Sequence, residues 1–348
     1  MKTVAAPFVS IPLLLMGFRS IALVSVTLAI SLITDILYLI YAFRVLDTKF
    51  VFHDFEKGLF KSLFVYTSFI AINLIVDQIN WNIDKLLLGR FKGTEAVSVY
   101  SIGYALYQYY MMFSTSISSV FTPRIHFIID ETMDDLTRRK KDLTELFIRV
   151  GRIQYLLLGL LATGLLFFGR HFIYFWAGNG YEDSYYVMLL LVIPSSITLI
   201  QNLGIEIQRA ENKHHFRSIV YLVMALINLI LSIFLCRRYG AIGSAIGTAI
   251  SLVIANGLVM NIYYHVACEI NIIEFWKNIL LISVGLLLPI VCGILMLQFV
   301  DLYSPFKFVV CVIGYTAVYC LSMWYIGMNQ YEKNLILKPI NKILKIKE

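Results

Sequence analysis

Stretches of about twenty mostly apolar residues alternate with short polar segments along the whole chain. Twenty residues of α-helix rise about 30 Å, the thickness of a bilayer's hydrocarbon core. The pattern predicts ten membrane-spanning helices, over residues 4–17, 20–43, 62–83, 94–118, 150–168, 184–207, 217–236, 241–265, 278–299 and 306–328. The first is short. The alternating ten-residue segments of a membrane β-barrel do not occur. The expected fold class is all-α, a polytopic membrane protein.

Composition supports the same reading. The chain has 348 residues, 59% of them hydrophobic and 15% charged, with a mean hydropathy of +0.77. A soluble domain carries about a quarter charged residues, so the excess apolar surface here must face lipid. The net charge of +7 does not need nucleic acid to explain it, because the basic residues fall in the loops. With the N-terminus and every second loop on one side, that side holds 21 of the 29 Lys and Arg and the other holds 8. The rule that basic loops stay inside makes the richer side cytoplasmic, with both chain ends there. The five cysteines, Cys236, Cys268, Cys292, Cys311 and Cys320, form no CxxC and are read as small core or lipid-facing residues.

Both long loops, 44–61 and 121–149, fall on the cytoplasmic side. Residues 131–150 read as a charged cytoplasmic helix. The basic tail, 329–348, places Leu337, Ile340 and Leu344 on one face with Lys338, Lys342 and Lys345 nearby. That pattern fits a helix on the inner membrane surface or a solvated tail.

Residues 20–32, SIALVSVTLAISL, resemble 240–252, GAIGSAIGTAISL, at an offset of 220 residues, or six spans. Duplicated bundles are common in transporters. A six-helix repeat would make 62–265 one complete C-terminal bundle. Residues 1–43 would be the last two helices of an N-terminal bundle whose first four are missing, with 44–61 as the cytoplasmic loop between them.

Polar residues at bilayer depth are costly and usually line cavities or paths. In the third span, Asn73, Asp77, Asn80 and Asp84 are spaced 4, 3 and 4 apart and so share one helix face, flanked by Lys85. That stripe must face either a wet cavity or a packing network. Tyr100, Tyr104 and Tyr107 repeat the spacing in the fourth span. Aromatic faces with hydroxyls suit sugar rings, while an interfacial aromatic belt explains Tyr100 equally well and core packing explains the others. The sixth span carries Pro194, which would kink it, then Gln201, Glu206 and Arg209. The last two are three apart and could pair. Gly240, Gly243 and Gly247, with Ser244, Thr248 and Ser251, read as a close-packing face. No P-loop, Rossmann glycine signature or HExxH occurs, so the chain is expected not to be an enzyme.

Residues 76–103, VDQINWNIDKLLLGRFKGTEAVSVYSIG, resemble the Asp-x-x-x-Leu-Gly-x-Phe-x-Gly-x-x-Ala-Val-x-x-Tyr pattern of bacterial oligosaccharide flippases. These export O-antigen and capsule repeat units and form the polysaccharide branch of the multidrug, lipid and polysaccharide exporter superfamily. Residues 118–125, SSVFTPRI, 207–213, IQRAENK, and 239–249, YGAIGSAIGTA, are similar to the same family. The resemblance implies two six-helix bundles around a cavity, here incomplete at the front. It also implies two additional C-terminal helices, at 278–328.

The implied partner is an undecaprenyl-diphosphate-linked oligosaccharide, moved across the bacterial cytoplasmic membrane within lipid, together with other polysaccharide assembly proteins. No nucleic acid, cofactor or metal is implied, though H⁺ or Na⁺ could drive the cycle. On this reading Lys85, Arg90 and Arg124 make headgroup or diphosphate contacts, while Asn73, Asn80, Tyr104 and Gln201 bind hydroxyls. Asp77 and Asp84 carry the coupling ion or hold the lysine. Tyr100, Glu206 and Arg209 complete the expected pathway. Three competing readings stay open: a drug or metabolite exporter of the superfamily, a polytopic glycan polymerase or ligase, and an inactive fragment. The polymerase or ligase is disfavoured because both long loops fall inside.

Overall fold

The computed structural model describes residues 2–46, 58, 61, 64, 67, 82–211 and 213–343. Most of the loop 44–61, most of the expected span 62–83 and the last five residues of the tail lie outside the described residues. The chain divides into two compact units, residues 1–75 and 76–348. Every regular element among the described residues is helical, and the chain is a multi-pass membrane protein.

The first unit is a hairpin of α1 (Lys2–Leu15) and α2 (Arg19–Val45). α1 has 14 residues, about 21 Å of helix, which is short for a 30 Å core. α2 carries an apolar stretch over 23–45 that is long enough to span. Its Thr27 and Thr34 hydroxyls donate to the Leu23 and Ile30 carbonyls four residues back, each at 2.7 Å. Helical threonines thereby satisfy their hydroxyls without a partner helix.

The second unit begins with α3 (residues 82–91) and α4 (Thr94–Glu131). Gly93, at φ +83°, reverses the chain between them. α5 (Leu136–Ala177), α6 (Asp183–Ile200) and α7 (Leu203–Ala210) follow. α8 (His214–Leu252) comprises two arms that meet at Gly240, where φ is +59° and ψ −134°. A Cβ on Gly243 would collide with the Leu235 carbonyl oxygen, and one on Gly247 would sit 2.8 Å from Ser232 Oγ. The arms therefore fold back against each other, and the small residues at 243 and 247 permit it. A π-helical segment (Val253–Val259) leads into α9 (Met260–Val266).

The centre of this unit is α4 against α6, with α5 and α8 alongside. Val187, Met188, Leu191 and Val192 of α6 are fully buried there. Gly103 of α4 admits that helix, since a Cβ would lie 2.6 Å from the Ser184 carbonyl oxygen. Pro194 does not divide α6. The interruption falls at Gln201 and Asn202, ahead of α7. α10 (Ile272–Ser283), α11 (Leu287–Phe299) and α12 (Pro305–Ser322) pack on α5. Phe275 lies 4.8 Å from Phe147 between ring centroids, and the Tyr319 hydroxyl donates to the Leu156 carbonyl at 2.8 Å.

Six stretches of the described residues are long and apolar enough to cross a membrane, at 23–45, 136–177, 183–200, 215–266, 272–299 and 305–327. The fourth contains the Gly240 reversal, so it supplies two helices. The charged segment 131–150 is not a separate helix. After a short turn that segment becomes the start of α5, which runs unbroken for 42 residues, about 63 Å, and so extends well beyond a bilayer core. Asp135 caps it by accepting from the Arg138 amide at 2.9 Å. The cysteines are free, with Cys236, Cys268 and Cys311 buried. Burial pushes the Cys268 thiol, in the loop after α9, up to about 12, with the Glu211 carboxylate adding to the shift.

The tail begins as α13 (Gln330–Ile343) after a second π segment, Met323–Gly327. Asn329 and Glu332 cap it reciprocally, each side chain accepting from the other's amide at 2.9 Å. Glu332 is buried and meets Arg152 of α5 in a two-pronged ion pair, at 2.5 and 3.0 Å. Arg152 also donates to the Asn278 and Gly327 carbonyls, each at 3.1 Å. Removing one member of a buried pair strands the other charge, whereas removing both is far milder. Arg152→Met should therefore lower the stability of the solubilised protein by about 3–5 kcal/mol. Adding Glu332→Gln should recover most of it while keeping the cap. Thermal unfolding of both variants checks this, and a wild-type melt for Arg152→Met would contradict it.

Candidate functional site

Asp84 lies within α3, in a sequence otherwise rich in leucine. The Gly93 turn brings α4 back beside it, so that the Tyr100 hydroxyl donates to Asp84 Oδ2 at 2.9 Å. From the second arm of α8, Ser244 Oγ donates to Oδ1 at 2.6 Å and Thr248 Oγ1 to Oδ2 at 2.9 Å. Ser244 and Thr248 are four apart and so present one face. The Asn228 amide oxygen, on the first arm, accepts from Ser232 at 3.2 Å and Thr248 at 3.4 Å. Asp84 is only 5% exposed. An ionised carboxylate so placed loses several kcal/mol of hydration. Three hydroxyl donors replace much of that hydration with short, charge-assisted bonds.

Tyr100, Tyr104 and Tyr107 continue from Asp84 as a wall of buried rings. Tyr100 and Tyr104 stack at 6.0 Å and Tyr107 follows at 5.8 Å. Lys85 Nζ sits 4.6 Å above the Tyr104 ring, an attraction between ammonium and ring quadrupole. Asp84 and the three tyrosines border a cavity of about 180 Å³ whose far side is formed by the α8 arms and the π segment. There Tyr221 donates to Asn256 Oδ1 at 2.6 Å. Arg217 donates to the Tyr221 and Tyr264 hydroxyls at 2.5 and 3.1 Å. A mostly apolar, aromatic cavity with a few fixed polar groups is the usual form of a small-molecule site.

The residues expected from sequence thus divide. Asp84, Tyr100 and Tyr104 come together at the cavity, and Lys85 lies over the Tyr104 ring. Asn73, Asp77 and Asn80 lie outside the described residues. Arg90 is exposed near the end of α3. Arg124 is exposed and stacked on Phe127 at 4.7 Å. It stands 24 residues along α4 from Tyr100, about 36 Å away, so Lys85 and Arg124 do not contact one diphosphate at once. Gln201 is buried in another network, where its amide donates to Asn261 Oδ1 at 2.8 Å and the Trp276 indole donates to the same oxygen at 2.8 Å. Glu206 and Arg209 pair with each other at 2.7 Å.

Sequence reasoning missed Ser244, Thr248, Asn228, Tyr221 and Asn256. The four-residue spacing of Ser244 and Thr248 was visible, but the glycines interleaved with them made packing the simpler reading. Both roles are present. Glycines 243 and 247 meet the other arm, while Ser244 and Thr248 reach Asp84.

Residues 1–185, just over half of the 348, match the model of a family described as polysaccharide biosynthesis protein. The chain belongs to the polysaccharide biosynthesis protein family. No curated protein and no solved structure matches it. In this polysaccharide biosynthesis protein the matched segment supplies Asp84, Lys85 and the tyrosine wall, and the remainder supplies Ser244 and Thr248.

A hydrogen bond to a charged group contributes about 1.5–3 kcal/mol. Tyr100→Phe should lower stability by that amount, whereas Tyr109→Phe, on an exposed ring of the same helix, should stay within about 0.5 kcal/mol. Denaturant unfolding in detergent compares them, and equal effects would contradict the role of the Tyr100 hydroxyl.

Proposed function

We propose that the chain moves an undecaprenyl-diphosphate-linked oligosaccharide from the inner to the outer leaflet of the bacterial cytoplasmic membrane. It would thereby supply cell-surface polysaccharide such as O-antigen or capsule. The observation that carries this reading is the buried Asp84 cluster at a tyrosine-walled cavity, inside a membrane helix bundle of a polysaccharide biosynthesis protein. The isoprenoid tail stays in lipid while the glycan passes the polar interior. The chain acts as a carrier rather than an enzyme and delivers its cargo to other polysaccharide assembly proteins. Both of its ends lie in the cytoplasm.

Asp84 supplies the driving step. Its oxygens, with those of Thr248 and Asn228, suit a proton or Na⁺. Neutralising the carboxylate weakens three hydroxyl contacts at once and loosens α3 from α4 and from the second arm of α8. Alternating access is a change of this kind, in which helices rock around a site near the membrane interior. Lys85 is placed to offset the negative charge of the cargo.

The test is flipping of a fluorescent polyprenyl-diphosphate oligosaccharide in vesicles that contain the full chain, with an imposed proton or Na⁺ gradient. Wild type should flip the lipid faster than empty vesicles, and Asp84→Asn should lose about tenfold or more in rate. A wild-type rate for Asp84→Asn would remove Asp84 from the mechanism. No flipping by wild type under either gradient would remove the function.

A further inference from the structure

Two polar atoms on the wall of the Asp84 cavity have no hydrogen-bond partner among the described residues: Asn256 Nδ2 and Ser251 Oγ. Asn256 is 2% exposed and Ser251 7%. A buried donor left unpaired costs about 1–3 kcal/mol, and most buried polar groups in folded proteins avoid it. Here the cost falls twice in one cavity.

Local structure keeps Asn256 where it is. The residue lies in the π-helical segment Val253–Val259, whose wide turn displaces side chains from the ordinary helical register. Such segments concentrate at functional sites. Asn261 Nδ2 donates to the carbonyls of Asn256 and Gly257 at 2.7 and 3.1 Å, which holds the wide turn. The Tyr221 hydroxyl occupies Asn256 Oδ1, so the amide nitrogen is the half left over.

The walls also discriminate between ligands. An aromatic cavity beside a carboxylate is, in general, suited to an organic cation. Here, however, Lys85 lies over Tyr104 at 4.6 Å and Arg217 over Tyr221 at 4.5 Å. Each of these rings thus already holds a cation of the chain on one face. An anion would lie close to the buried Asp84 charge, where low dielectric makes repulsion strong. A neutral ring with several hydroxyls meets neither obstacle. It offers an acceptor to Asn256, a donor or acceptor to Ser251, and a C–H face to an aromatic wall.

We propose that this cavity binds one neutral pyranose ring of the transported glycan, with Asn256 and Ser251 as its hydrogen-bonding partners. The site rests on the transport reading for its biological cargo. Its existence as a sugar site does not depend on flipping. About 12 Å of helix separates Asn256 from Thr248 and about 4.5 Å separates Ser251 from it, so the sugar would extend from Asn256 toward the Asp84 end of the cavity.

Saturation-transfer NMR on the full chain in detergent tests the site, with methyl pyranosides of glucose, galactose, N-acetylglucosamine and rhamnose as probes and tetraphenylphosphonium as the cationic control. At least one pyranoside should bind wild type, about tenfold more weakly to Asn256→Leu, and several-fold more weakly to Ser251→Ala. The smaller Ser251→Ala change carries the test if Asn256→Leu does not elute as a folded monodisperse species. No pyranoside binding, binding unchanged in the variants, or tetraphenylphosphonium binding lost in them would each overturn the proposal. If wild type binds a pyranoside and the variants lose it while vesicles show no flipping, the transport reading fails and the site stands. If vesicles flip the lipid and the variants bind sugar normally, the site fails and the transport reading stands.

Discussion

A carboxylate placed among apolar helices needs hydrogen-bond donors in place of the water it loses. In this protein Asp84 gathers three hydroxyls, from Tyr100 on one helix and from Ser244 and Thr248 on another. Each donor helix is turned toward Asp84 by a glycine with positive φ, Gly93 before α4 and Gly240 between the arms of α8. The contact thus ties together segments 160 residues apart in sequence. The tyrosine wall and the cavity lie where these helices meet.

The three contacts on Asp84 all cross helix boundaries, so one side chain joins α3 to α4 and to the second arm of α8. Elsewhere other polar networks fasten structure. Gln201, Asn261 and Trp276 close the break between α6 and α7 against α10, and Arg152 holds the start of the tail helix through Glu332.

Much of the helical architecture was legible because lipid imposes it. Backbone groups in a bilayer must be satisfied within the segment, so apolar runs translate directly into helices. The reversal between spans seven and eight could be read from basic residues followed by Gly240. Charge patterning was less informative about continuity, and residues 131–150 join α5 because a cytoplasmic helix can simply extend a membrane one. At the site, spacing marked Asp84 on a polar face of one span and Tyr100 and Tyr104 on a face of the next, while their meeting is tertiary. Ser244 and Thr248 reach Asp84 only through tertiary packing, which no local period encodes. The Arg152–Glu332 pair, 180 residues apart, was illegible for the same reason. Glu206 and Arg209 had a local answer, and the structure takes it.

A double-mutant cycle between Asp84→Asn and Thr248→Val, read by reversible unfolding of the full chain in detergent, tests the central claim most directly. If the carboxylate is held by these hydroxyls, the two substitutions remove one shared interaction. Their combined effect should then fall short of the sum by about 1 kcal/mol or more. Strict additivity, within about 0.3–0.5 kcal/mol, would contradict the account.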